Sequence, residues 1–169
     1  MFEKSELIMY GTTGVCEVVN ITTPNIKGIP KGKLYYELQP YYQKDGKIFT
    51  PIDNEKVLMR RIITKQEAEQ LIHEIPDIEA LYVENDKMRE IQYKECVKSG
   101  ECRELIKMIK TLYLRKMKRI AQGKHITTTD ERYLKQAEDA LYSELAISLG
   151  VPKEKMETYI AEQIEKNKK

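Results

Sequence analysis

A chain of 169 residues with 41% apolar and 33% charged side chains can bury a core, which excludes a disordered chain and allows one medium domain or two small ones. Its net charge of +2 says little until it is divided along the sequence. No window approaches the roughly 18 uninterrupted apolar residues of a membrane span, and "MFEKSELIMYG" lacks a signal-type apolar run, so a cytoplasmic location and no membrane partner are expected.

From the N-terminus to about Arg61 the chain reads as short strands. Leu7 to Tyr10, Val15 to Ile21, Leu34 to Leu38, Lys47 to Pro51 and Lys56 to Ile62 are rich in β-branched and aromatic residues, with Gly, Pro, Asn and Asp in the gaps. "GTTG" and "KDGK" suit tight connections, and "TTPNIKGIPKGK" is a longer polar loop able to reach a partner. Five strands in so short a span predict a small β barrel.

At Thr64 the period becomes helical. "TKQE" is a capping box with Thr64 as N-cap and Glu67 reaching back, and Ala68, Leu71, Ile72 and Ile75 share one face until Pro76. A second helix is predicted from about Asn85 to Lys98, with Met88, Ile91, Tyr93 and Val97 as its stripe. A third, from about Glu101 to Gln122, carries Leu105, Ile109, Leu112, Tyr113, Met117 and Ile120, and the two read as an antiparallel pair. Thr128 with Glu131 suggests another capping box, opening a helix that ends near Leu149 with Gly150 as C-cap. Pro152 suits the first turn of a last helix with Met156, Tyr159, Ile160 and Ile164. The expected fold class is α+β: a small barrel over residues 1–62, then a helical domain of four to five helices over residues 63–169.

Chemistry-bearing motifs are missing. There is no GxGxxG, GxxxxGK[ST], HExxH or GxSxG, and the two histidines, His73 and His125, lie far apart in sequence and read as surface residues. Cys16, Cys96 and Cys102 form an odd set without CxxC, so each reads as a small core residue rather than a disulfide partner or zinc ligand. Glu67, Glu69, Glu74, Glu138 and Asp139 sit on solvated helix faces. The expectation is a non-enzymatic protein with no cofactor, no metal and no small-molecule substrate.

Charge is the more informative feature. Lys and Arg outnumber Asp and Glu 8 to 2 over residues 99–125, whereas residues 63–98 run 5 to 9 the other way. Arg103, Lys107, Lys110, Arg115, Lys116, Lys118, Arg119 and Lys124 thus form a basic helix able to attract a polyanion, against the plainer alternative of a solvated face. No set of base-reading side chains stands out, so DNA contact would be mainly to phosphate.

In sequence order, "LIMYGTTGVCEVVNI", "IKGIPKGKLYYEL" and "KIFTPIDNEKVLMRRII" resemble the N-terminal polymerase-interacting domain of the CarD/CdnL family. Tyr10, Gly14, Val15, Gly28, Tyr35, Tyr36, Leu38, Pro51, Arg60 and Ile62 stand at matching places. "YKECVKSGECRELIKMIKTLYLR" and "TTDERYLKQAEDALYSELAISLG" are similar to that family's helical domain, so the resemblance covers most of the chain. The first domain alone also resembles the polymerase-binding module of transcription-repair coupling factors, but no helicase motor follows.

The resemblance implies a Tudor-like barrel that docks on the β subunit of bacterial RNA polymerase, and a helical domain that contacts promoter DNA near the edge of the melted region. Candidate polymerase contacts are Ile26, Lys27, Lys33, Tyr35, Phe49 and Thr50. Candidate DNA contacts are Lys107, Lys110, Arg115, Lys116, Lys118, Arg119 and Lys124 on the basic helix, with Asp86, Lys87 and Arg89 at the start of the second. The rival expectations are a barrel-containing nucleic-acid-binding protein without polymerase contact, and a protein–protein adaptor. The sequence departs from the family pattern at Met9-Tyr10-Gly11, where Val-Tyr-Pro is usual, and at Thr13-Gly14, where His-Gly is usual. The chain has no Trp, and the place of the family's DNA-wedging Trp falls on Asp86. Tyr82 and Met88, the nearest larger apolar or aromatic side chains, are expected to be packed away.

Overall fold

The computed structural model describes residues 1–168, and the chain divides into two compact units, Met1–Ile62 and Ile63–Lys169. The first holds five strands, β1 (Leu7–Tyr10), β2 (Gly14–Thr22), β3 (Tyr35–Pro40), β4 (Ile48–Pro51) and β5 (Met59–Arg61), in one antiparallel sheet of order β4-β3-β2-β1-β5. Strand alternation sends Ile8, Cys16, Val18, Tyr36 and Leu38 to one shared core, with Ile48 and Met59 packed against it. Gly11, just after β1, has φ +48° and no room for a Cβ, which would meet Val57 Cγ1 at 2.8 Å.

The N-terminal segment closes one end of this core. The Phe2 N–H donates to the Tyr36 hydroxyl at 2.9 Å, and the two rings pack tilted at 5.7 Å. Arg61 lies over the Phe2 ring and pairs with Glu6. The Glu3 N–H, donating to Glu6 at 2.8 Å, and the Arg61 guanidinium hold the Glu6 carboxyl below the usual carboxylate range.

The second unit contains α1 (Lys65–Glu74), α2 (Asp86–Ser99), α3 (Cys102–Ala121), α4 (Thr128–Leu149) and α5 (Met156–Asn167). Short 3₁₀ turns at Ile75–Asp77 and Lys153–Lys155 follow α1 and precede α5. The Thr64–Glu67 capping box is present in both directions. The cap of α4 lies one residue earlier than the sequence suggests, because Thr127 rather than Thr128 accepts from the N–H of its third neighbour, Asp130, at 3.1 Å. Gly100, at φ +66°, ends α2 in the left-handed conformation.

Tyr93, Cys96, Leu105, Met108, Leu112, Leu141, Leu145 and Met156 are buried in one core, where Tyr93 and Tyr133 pack at 5.4 Å. α2 turns half of its predicted stripe inward: Tyr93 is buried and Val97 packs against the core, but Met88 and Ile91 are exposed and Cys96 is buried instead. All three cysteines are buried thiols outside any disulfide, and burial pushes the Cys16 and Cys96 thiols up to about 11.

A carboxylate lies inside this core. Glu144, 1% exposed, accepts from the Ile63 N–H at 2.8 Å and from the Cys102 thiol at 3.3 Å. One turn on, the Ser148 hydroxyl donates to the Ile63 carbonyl at 2.7 Å. Both backbone groups of Ile63 are thereby fastened to α4. Glu144→Ala strands these buried donors and is expected to lower stability by about 1–3 kcal/mol in urea denaturation, with Glu144→Gln, which keeps an acceptor for the Ile63 N–H, losing less.

Candidate functional site

β4 has a partner strand on one side only among the described residues, which makes it an edge. Phe49, opposite Glu37, is half-buried, and Ile26 and Lys27 are exposed in the loop between β2 and β3. Lys33 is exposed and pairs with Asp53 at 3.8 Å. Tyr35 and Thr50, expected as contacts, instead bury their side chains. Thr50 stands opposite Tyr36 on the core side of the sheet and accepts from Asn54 Nδ2 at 2.8 Å, and Tyr35 lies on a strand paired along both edges. The exposed Tyr41–Tyr42 pair just after β3, its rings edge-on at 5.0 Å, was missed by strand patterning; adjacent tyrosines in a polar turn were the available signal.

The basic helix divides into cations turned inward and cations turned out. Lys110 donates to the carbonyls of Ile75 and Ile78, securing the turn after α1, and burial holds its ammonium below the usual lysine range. Arg115 Nε donates at 2.9 Å to Asp130, whose side chain is 5% exposed at the start of α4. Arg119 Nε donates to the His125 carbonyl at 2.6 Å and ties down the loop after α3. Arg103 pairs with Glu74, and Lys107 with Glu104 at 3.2 Å. Lys110 and Arg115, expected among the DNA contacts, are thus engaged within the fold: the Asp130 carboxylate and the Ile75 and Ile78 carbonyls compete with a solvent phosphate for their charge. Lys118 and Lys124 are exposed without an ion-pair partner among the described residues, and Lys116 is half-exposed, its charge acting on Glu138.

At the start of α2, Asn85 caps the helix and Asp86 and Lys87 are exposed. Arg89 bends back to Asp86 at 3.1 Å and to within 3.5 Å of the Tyr93 hydroxyl, so it too is engaged within the helix. Tyr82 overturns the expectation that it packs away: it is 82% exposed, with its carbonyl accepting from Gln92 Nε2 at 2.8 Å. Met88 is exposed as well. The Leu81 N–H donates to Thr111 Oγ1 at 2.8 Å, which fixes the chain just before Tyr82 against α3. The distal half of α3 adds exposed Tyr113, Leu114, Met117 and Ile120, four residues that the helical period alone would assign largely to the core.

Among the described residues no group of three or more His, Cys, Asp or Glu side chains could hold a metal ion, and no helix is long and apolar enough to cross a membrane.

Residues 2–63 match the family model described as the CarD-like/TRCF RID domain, and residues 77–161 match that of the CarD C-terminal domain. The second match alone spans half of the chain, and the boundary between the two falls near the boundary between the compact units. No individual curated protein matches the chain.

The division of the cations is open to measurement. Arg115→Ala leaves a buried carboxylate without its partner and is expected to cost about 1–3 kcal/mol in thermal or urea denaturation. Lys118→Ala and Lys124→Ala, at exposed sites, are expected to stay within about 0.5 kcal/mol of the parent.

Proposed function

The chain belongs to the CarD family, a transcription-related family that interacts with RNA polymerase, and from that premise we propose that residues 1–62 dock on the β subunit of bacterial RNA polymerase while the helical unit contacts promoter DNA and modulates open-complex stability. The observation that carries the reading is the exposed edge of β4, with Phe49 on that strand and Ile26 and Lys27 in a nearby loop. An edge strand offers unpaired N–H and C=O groups, to which a partner's strand can add by main-chain hydrogen bonds while side-chain pockets set specificity. In this arrangement Thr50 contributes backbone and Phe49 contributes side chain.

The DNA contact falls to Lys87, Lys116, Lys118 and Lys124, with the exposed Tyr82 as a further, aromatic contact. Lysine ammonium groups on phosphates hold a duplex without reading its sequence. An exposed tyrosine can stack on an unpaired base, a contact worth about 1–3 kcal/mol. Asp86, at the first turn of α2, is paired with Arg89, which lessens its repulsion of phosphates. The reading is of a non-enzymatic regulator acting in the cytoplasm: it needs no cofactor and no small-molecule substrate, because occupancy of the polymerase and of the DNA fork is itself the effect.

Two measurements test it. Full-length protein carrying Ile26→Asp and Phe49→Asp is expected to bind the isolated β subunit at least about tenfold more weakly, a loss of roughly 1.4 kcal/mol or more, with its circular dichroism unchanged. Undiminished binding removes the β4 edge from the docking site. On promoters, Tyr82→Ala is expected to shorten the open-complex lifetime about fivefold or more, the low end of a lost stacking contact, whereas Asp86→Ala changes it little. An unchanged lifetime in Tyr82→Ala removes Tyr82 from the DNA contact. Neutralising Lys116, Lys118 and Lys124 together is expected to flatten log affinity against log salt by about 0.9 per lost phosphate contact.

A further inference from the structure

The distal half of α3 leaves the core without losing its apolar character. Tyr113, Leu114, Met117, Ile120 and Ala121 recur at the spacings that gather residues on one helix face, an arc roughly 120° wide at about 100° per residue, and all five are exposed, Leu114 by 62%. In the proximal half the same arc carries Cys102 and Ile106, which are buried. The difference has a visible cause. α1 and the turn after it lie along the proximal half, where Glu74 pairs with Arg103 and the Ile75 and Ile78 carbonyls accept from Lys110. Past Lys110 that cover ends, and the apolar arc continues into solvent.

The rim of the arc has one sign of charge. Lys116 flanks it on one side and Lys118 on the other, Lys124 follows in the loop beyond, and no Asp or Glu occurs between Glu104 and Asp130. Arg115 and Arg119 do not contribute, because they face Asp130 and the His125 carbonyl. The result is an apolar centre with a cationic border. Of the five arc residues only Tyr113 carries a hydrogen-bond donor, whereas Leu114, Met117, Ile120 and Ala121 carry none, so a duplex laid on the arc would dehydrate more phosphate oxygens than one hydroxyl can serve. An amphipathic helix with an apolar stripe edged by Glu or Asp meets both features at once, burying its stripe on Leu114 and Met117 and placing its carboxylates against the lysines.

We propose that the distal half of α3 is a docking surface for an acidic amphipathic helix of a partner protein. It does not rest on the polymerase and promoter reading above, but it draws on the same Lys116, Lys118 and Lys124, so an acidic helix and a duplex would compete for those lysines.

The test uses the full chain and a fluorescent synthetic helix with a Leu/Ile stripe flanked by Glu, alongside a Lys-flanked version of the same stripe. The Glu-flanked helix is expected to bind, and the Lys-flanked one to bind at least about tenfold more weakly. Met117→Glu and Leu114→Glu, both at exposed positions, are expected to lower affinity for the Glu-flanked helix about tenfold or more with circular dichroism unchanged. Lys116→Glu with Lys118→Glu is expected to reverse the preference, favouring the Lys-flanked helix. Equal binding of the two helices, or no effect of Met117→Glu and Leu114→Glu, overturns the proposal. So does a Leu114-dependent interaction with duplex DNA, with vesicles of phosphatidylglycerol and phosphatidylcholine, or with a second copy of the chain in sedimentation, since each would assign the arc to a different occupant.

Discussion

The helical unit depends on a carboxylate that composition would place at the surface. Glu144 accepts the Ile63 N–H and the Cys102 thiol, so one side chain on α4 joins the first residue of the unit to the first residue of α3. Ser148, one turn later, takes the Ile63 carbonyl. A residue entering a core from a strand-rich segment carries a backbone N–H and C=O that no helix has yet satisfied, and unpaired burial of each would be costly. α4 supplies both partners at the i, i+4 spacing of a single face, so the point where strand character ends and helix character begins is set by two polar side chains rather than by the apolar pattern.

The cations follow a related logic. Eight Lys and Arg in residues 99–125 look like one basic surface, but side-chain length lets several of them reach polar atoms of neighbouring elements. Lys110 reaches the carbonyls where α1 ends, Arg115 reaches Asp130 where α4 begins, and Arg119 reaches the loop between α3 and α4. Each is an end of a helix or a turn, where backbone carbonyls or a partly buried carboxylate concentrate negative potential. A charge run in sequence is therefore an upper bound on the charge that a partner meets.

Much of the fold was legible in the residues. Alternation located five strands, the Thr64–Glu67 box opened α1, and Gly100 and Gly150 ended α2 and α4 in the left-handed conformation. What stayed hidden depended on neighbours distant in sequence. Thr127 and Thr128 are equivalent as local caps, and it is Thr127 that accepts from the Asp130 N–H, while the Asp130 side chain holds Arg115. On α2 only Tyr93 and Val97 of the apolar stripe meet the core, since Met88 and Ile91, strongly apolar, lie outside and Cys96, weak on an apolar scale, is buried. The apolar stripe of α3 was legible as a stripe, but the contacts along its first half come from Glu74 and the Ile75 and Ile78 carbonyls, which no property of α3 itself reveals. Tyr82 lies outside any regular element, so neither period applied to it.

Few outward-facing lysines need not mean little function. Three or four phosphate contacts give a modest affinity that falls steeply with salt, too weak for a free protein to hold one promoter among many competing sites. If the same chain is first held on a polymerase that already sits on that promoter, the DNA contact becomes intramolecular, and its effective concentration replaces affinity that the surface itself lacks. The charge economy of α3 and the exposed edge of β4 are then two sides of one requirement. On the proposed reading, a strongly basic helical unit would bind DNA without the polymerase, whereas a unit whose Lys110, Arg115 and Arg119 are engaged in its own fold would act only where docking had already placed it.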